Sequence, residues 1–144
     1  MARNELVIGA APAVVWQVLA DPRAYGDWVV GSAEVREWDE GWPAVGRRLR
    51  HRIGPGPLAI EDYTAVLAAD PPRRLVLRAN ARPLGVARIE LRVEPHPAGA
   101  LVTMVENPAG RLARLLLPLP VRVLLRLRNG ESLRRLRRLA EAWR

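Results

Sequence analysis

The chain has 144 residues, with two histidines, fifteen carboxylates and no cysteine, and because all 23 basic residues are arginine it has no lysine either. The chemistry open to such a chain is narrow. Thiolate nucleophiles, disulfides and cysteine-ligated zinc or iron–sulfur sites are excluded. So are Schiff-base catalysis and a P-loop, both of which require lysine. His51 and His96 are too few for a histidine-rich metal site, so no metal and no cofactor is expected. Proton transfer between an imidazole and a carboxylate remains open to it. His51 and Asp62 are the pair placed for it: a carboxylate can orient an imidazole and raise its pKa, giving a general acid/base near neutral pH.

Their placement depends on one hairpin. With Gly54-Pro55-Gly56-Pro57 as the loop, Ile53 faces Leu58, His51 faces Ile60 and Arg50 faces Glu61. The Arg50–Glu61 cross-strand pair supports that register by roughly 0.2–1 kcal/mol. One face then carries Arg48, Arg50, Arg52, Glu61 and Tyr63. The other carries Leu49, His51, Ile53, Leu58, Ile60, Asp62, Thr64 and Val66, apolar apart from three residues, and is therefore the inward one. His51 and Asp62 become diagonal neighbours there. They serve either as a catalytic pair or simply as two polar groups that satisfy one another, and a one-residue slip would turn both outward.

These strands belong to a longer pattern. Asn4–Ile8 reads as a strand, a helix opens at Pro12 with Val14, Val15, Val18 and Leu19 as its apolar stripe, and Pro22–Tyr25 forms a second short helix. The period then changes to two, over Ser32–Trp38, Arg47–Ile53, Leu58–Ala68, Arg74–Ala81, Val86–Glu94 and Leu101–Glu106, with turn residues between. Ile89 and Leu91 alternate with Arg88, Glu90 and Arg92, so they face inward. From near Pro120 the period is helical to the end, with Val123, Leu127, Gly130, Leu133, Leu136, Ala140 and Trp143 as the inner stripe. An antiparallel meander with one apolar face needs a cover, and this helix is the only long element available. One α+β domain over residues 1–144 is expected.

The start, MARNELVIG, lacks a signal-peptide pattern, and no uncharged run reaches 18 residues, so a cytoplasmic protein is expected. Residues 111–144 hold ten arginines and two acids, which accounts for the whole net charge of +8. Nucleic acid is not expected as a partner, since the aromatic residues that would stack bases are missing from this segment apart from Trp143. The arginine face is either solvated, helped by Glu131 and Glu141, or a peripheral contact with an anionic membrane. A homodimer is left open.

In the order Ile8-Gly9-Ala10-Ala11-Pro12, Val15-Trp16, Leu19-Ala20-Asp21-Pro22, Trp28, Val45-Gly46-Arg47, Asp70-Pro71-Pro72-Arg73-Arg74-Leu75 and the closing Asn129 to Glu141, the chain resembles the START, polyketide-cyclase and birch-pollen-allergen (SRPBCC) superfamily. It looks closest to the polyketide cyclase/dehydrase-like branch of actinobacteria. The resemblance implies a helix-grip fold: a curved antiparallel sheet of about seven strands wraps a long C-terminal helix, with two short helices after the first strand. It also implies an apolar cavity between sheet and helix that holds a hydrophobic, lipid or polyketide-like molecule. A minority of such proteins catalyse cyclisation or dehydration, which require proton transfers beside a polarised carbonyl, and His51 and Asp62 would supply them.

On this basis the ligand-facing residues are Trp28, Leu49, His51, Ile60, Asp62, Thr64, Ile89, Leu91, Met104, Glu106, Leu127 and Gly130. Glu106 shares parity with Val102 and Met104, and the resemblance turns that face inward; alternatively it caps the long helix at the strand end. Trp28 either lines the cavity mouth or plugs the helices onto the sheet. Gly130 either leaves room for a ligand or permits tight packing.

Overall fold

The computed structural model describes residues 2–30, 32–53, 57, 60–80, 86–108 and 118–143, and for some of these, His51 and Ile60 among them, the backbone alone. Strand β1 (Ala2–Ile8) leads to helix α1 (Pro12–Ala20) and the single turn α2 (Tyr25–Trp28). Strands β2 (Ser32–Trp38), β3 (Arg48–Ile53), β4 (Ile60–Asp70), β5 (Arg74–Asn80), β6 (Val86–His96) and β7 (Gly99–Pro108) follow, and helix α3 (Leu119–Ala142) ends the chain.

Antiparallel pairing gives one sheet in the order β1-β7-β6-β5-β4-β3-β2, so only the β1–β7 neighbours depart from sequence order. Alternation decides its two faces. Leu49, Thr64, Val66, Leu75, Leu77, Ile89, Leu91, Val93, Val102 and Met104 are buried together with Val15, Val18 and Leu19 of α1 and Leu133, Leu136 and Ala140 of α3. The opposite face is charged: Glu90 of β6 takes Arg74 and Arg92 each at 2.8 Å, and Arg88 at 3.7 Å. This is the α+β helix-grip architecture.

Helix α1 begins with Pro12 in its first turn, where the missing N–H is no loss. It ends at Asp21. The backbone N–H of Arg23 then donates to Asp21 Oδ1 at 2.9 Å. That local bond makes 22–24 a turn, so the short helix starts at Tyr25 instead of spanning Pro22–Tyr25. At the β6–β7 hairpin, Gly99 has φ +142° and lies against the Ile8 carbonyl, a position closed to any side chain.

Two further expectations need correction. The β3–β4 hairpin pairs Ile53 with Ile60, His51 with Asp62 and Arg50 with Tyr63, two residues beyond the expected register. Strand β4 begins at Ile60, and residues 54–56 of the expected loop lie outside the described residues, as do Leu58 and Ala59. Arg50 consequently meets Glu37 of β2 at 3.9 Å, and Glu61 stands opposite Arg52. One exposed ion pair is too weak to hold a register against the packing of Leu49 and Thr64. A shift of two preserves parity, so Leu49, Asp62, Thr64 and Val66 still face inward and Tyr63 outward.

The inner stripe of α3 also differs. Val123 and Leu127 are 48% and 64% exposed, whereas Asn129, Ser132, Leu133, Leu136 and Ala140 are buried. Polar anchoring turns the helix this way. Ser132 Oγ accepts the Val30 N–H at 3.0 Å, and Asn129 reaches a buried carboxylate described below. Gly130 sits over β1, where an added Cβ would lie 3.4 Å from Asn4 Nδ2. Asn4 Nδ2 also donates to the Arg126 carbonyl at 3.0 Å. Gly130 thus faces Asn4 of β1 at an ordinary contact distance, and neither it nor Leu127 is placed facing a ligand space.

Candidate functional site

Val102, Met104 and Glu106 alternate inward along β7, which brings a carboxylate into the interior between Ile89 of β6 and Ala2 of β1. Glu106 is 2% exposed. A buried carboxylate is costly unless a cation and further hydrogen bonds compensate it. Helix α3 provides both. Arg128 Nη2 donates to the two carboxylate oxygens at 2.8 and 2.9 Å, and Asn129 Nδ2 donates to Oε1 at 3.0 Å. This cluster fastens the covering helix to β7, one strand in from the β1 edge of the sheet.

A second polar group lies within electrostatic reach of the first. Tyr25 of α2 is buried, with its hydroxyl 3.3 Å from Thr64 Oγ1 of β4. Burial raises the Tyr25 pKa above its ordinary value of 10.0; the Thr64 hydrogen bond opposes that, Glu106 adds to it and Arg128 opposes it. The phenol is therefore a neutral hydroxyl near pH 7. Beneath it the sheet row runs Leu49, Thr64, Ala79, Ala87, so short side chains lie beside Thr64.

Trp28 packs edge-to-face on Tyr25, with ring centroids 5.6 Å apart. It is buried in the core, 2% exposed. Its Nε1–H has no hydrogen-bond partner among the described residues. A buried indole N–H normally finds an acceptor, so this donor calls for one.

His51 and Asp62 stand directly opposite one another across β3 and β4, a closer pairing than the diagonal one expected. Asp62 is buried and its Oδ1 accepts the Tyr63 N–H at 3.0 Å. The side chains of His51 and Ile60 lie outside the described residues. Among the described residues, no group of three or more His, Cys, Asp or Glu is placed to hold a metal ion.

Of the residues expected to face a ligand, the structure gathers Trp28, Leu49, Asp62, Thr64, Ile89, Leu91, Met104 and Glu106 in the buried interior. Tyr63 is on the outer face as expected, with the Arg48 guanidinium 5.6 Å from its ring centre. Trp42 is buried in the core and Trp38 is 45% exposed. Tyr25, Arg128, Asn129 and Ser132 escaped the sequence reading. A signal existed for two of them: an inward Glu106 demands a cation, and the covering helix offers Arg128 followed by an amide.

No curated protein matches the sequence. Among solved structures, the chain is similar to a protein from Nitrosomonas europaea at 15% identity and TM-score 0.75, covering 99% of this chain and 94% of that one. It is similar to an AHSA1-like protein from Aeromonas hydrophila at 18% identity and TM-score 0.69, covering 97% and 91%. A third similarity is to the di-domain ARO/CYC protein StfQ of the steffimycin biosynthetic pathway, at 16% identity and TM-score 0.69, covering 96% of this chain but 49% of that one. At these identities the likeness establishes the fold, which all three share. Residues 2–141 match the family described as polyketide cyclase / dehydrase and lipid transport, and the chain belongs to that family.

Proposed function

We propose that the protein binds a hydrophobic or polyketide-like small molecule between the sheet and α3, and that Trp28 and Tyr25 orient it. The observation that carries this is the buried Trp28 indole N–H, which has no acceptor among the described residues and belongs to a ring packed edge-to-face on Tyr25. A buried donor at an apolar interior suits a ligand carbonyl, with the Tyr25 ring packed against it. The apolar surface supplies affinity, and the donor supplies orientation. Leu49, Ile89, Leu91 and Met104 form the apolar side, and Glu106, neutralised by Arg128, keeps α3 in place over it.

A hydroxylated polycyclic quinone is a suitable probe, since it presents a carbonyl on an apolar ring system. Titrated by calorimetry, the wild type should bind one equivalent. Trp28→Phe should weaken binding roughly fivefold to tenfold, the value of about one hydrogen bond in a buried site. Equal affinities for wild type and variant, with both folded, would remove the orienting role.

A second reading is cyclase/dehydratase chemistry by His51 and Asp62. It is favoured by their direct opposition across β3 and β4 and by the burial of Asp62. Asp62 would orient the imidazole, and His51 would move a proton beside a ligand carbonyl. Turnover of a poly-β-carbonyl substrate that disappears in His51→Ala, while quinone affinity changes little, would support catalysis. Turnover unaffected by His51→Ala would end it.

A further inference from the structure

The first three turns of α3 present apolar side chains to solvent. Leu119 is 70% exposed, Leu124 65%, Leu127 64% and Val123 48%. Leu119, Val123 and Leu127 follow one another at i, i+4 and i+8, and Leu124 lies beside them, so the four share one side of the helix. That side points largely away from Leu133, Leu136 and Ala140, which are buried against the sheet. Arg122 and Arg126, both exposed, flank the apolar strip. Further along the same side the chemistry changes: Glu131 there is ringed by Arg134, Arg135 and Arg138 at 3.0, 3.4 and 3.1 Å. The apolar strip is therefore confined to one end of the helix.

Charge decides what such a strip can meet. No acidic residue stands between Glu106 and Glu131 in the sequence, so the first turns of α3 themselves contribute arginines and no acid. A second copy of the chain packed strip to strip would bring the like-charged arginines of the two helices against one another. A bilayer with anionic headgroups complements both properties at once: its acyl boundary accepts the leucines and its headgroups pair with the arginines. Among the described residues no helix is long and apolar enough to cross a membrane, which leaves an in-plane contact.

We infer that the N-terminal half of α3, through Leu119, Val123, Leu124 and Leu127 flanked by Arg122 and Arg126, docks on anionic membrane surfaces. The contact uses the outward side of the helix whose inward side is bound to Glu106, so docking leaves the fold intact. It rests on surface residues alone, and it stands whether or not the interior takes a ligand.

Co-sedimentation with phosphatidylcholine vesicles, with and without phosphatidylglycerol, tests this. The full chain should bind the phosphatidylglycerol vesicles at low salt, bind phosphatidylcholine alone far less, and release on adding salt. Arg122→Gln with Arg126→Gln should lower the partition coefficient roughly fivefold per arginine. Leu124→Gln with Leu127→Gln should lower it roughly tenfold or more, because two exposed leucines no longer enter the acyl boundary. Both variants change exposed positions, and unchanged circular dichroism shows that they fold. Absent binding to phosphatidylglycerol vesicles at low salt would overturn the inference, as would indifference to either pair. So would a dimer in analytical ultracentrifugation that the leucine substitutions dissolve, which would assign the strip to a second copy.

Discussion

Replacing Arg128 by methionine isolates the contact that holds the covering helix to the sheet. The Glu106 side chain is 3% exposed and that of Arg128 is 35% exposed. Without the guanidinium, the hydrogen bond described for the carboxylate is the one from Asn129. Breaking a buried pair by removing one partner costs about 3–5 kcal/mol. Arg128 is one-third exposed, so water can approach where its head group stood, and the lower end, about 3 kcal/mol, is expected. Glu106→Gln is the milder change. A glutamine oxygen still accepts from Asn129, and Arg128 can turn to water, so a cost of about 1–2 kcal/mol follows.

The combined Glu106→Gln/Arg128→Met variant leaves no uncompensated buried charge. It should therefore be less destabilised than the sum of the two singles, with a coupling of about 1.5–2 kcal/mol. Urea unfolding followed by far-ultraviolet circular dichroism measures all four proteins, and similar slopes make the midpoints comparable. Costs that simply add, or an Arg128→Met variant within about 0.5 kcal/mol of wild type, would refute the view that this pair clamps α3.

Three other outcomes follow from the same structure. Tyr25 has its pKa raised by burial, so its contribution to stability is fully present below the ordinary value of 10.0 and is lost as pH rises through the shifted value. Tyrosinate absorbance should show Tyr25 titrating only together with unfolding, and Tyr25→Phe should remove part of the alkaline loss of stability. Glu90 is the opposite case. Hydrogen bonds from Arg74 and then Arg92 hold its carboxyl down, against burial, at about 2 instead of 4.5. Its contribution is present above about 4.5 and disappears as pH falls toward 2, so the stability gap between wild type and Glu90→Gln should close over that interval in acid denaturation. Gly130→Ala should raise the melting temperature, because alanine gains up to about 1 kcal/mol in a helix interior and its Cβ would meet Asn4 Nδ2 at an ordinary 3.4 Å.

The strands and the faces they present were legible because burial imposes a period of two, and that period survives a register error of two residues. Leu49, Thr64, Ile89, Leu91 and Met104 were therefore placed inside even though the hairpin was set two residues short. The covering helix was harder. Its most apolar spacing, through Val123 and Leu127, is not the side that faces the sheet, because Asn129 and Ser132 have polar partners inside. Apolar periodicity weighs solvent transfer alone and does not register a polar side chain drawn inward by a particular acceptor or donor. Glu106 was legible from parity, but Arg128 became its partner only through the rotation of α3. Tyr25 was hidden by a local effect: the Asp21 turn moved the short helix by three residues and carried the phenol over Thr64.

The central claim is that the buried Trp28 and Tyr25 side chains orient a ligand inside the fold. Its most direct test is to follow the indole N–H resonances by NMR while titrating the hydroxylated quinone, with Trp28→Phe assigning the signal. A saturable shift of the Trp28 Nε1–H at one equivalent, accompanied by broadening or shift of the Tyr25 ring signals, is the result predicted. A probe that binds the folded protein while leaving the Trp28 resonance in place would contradict it.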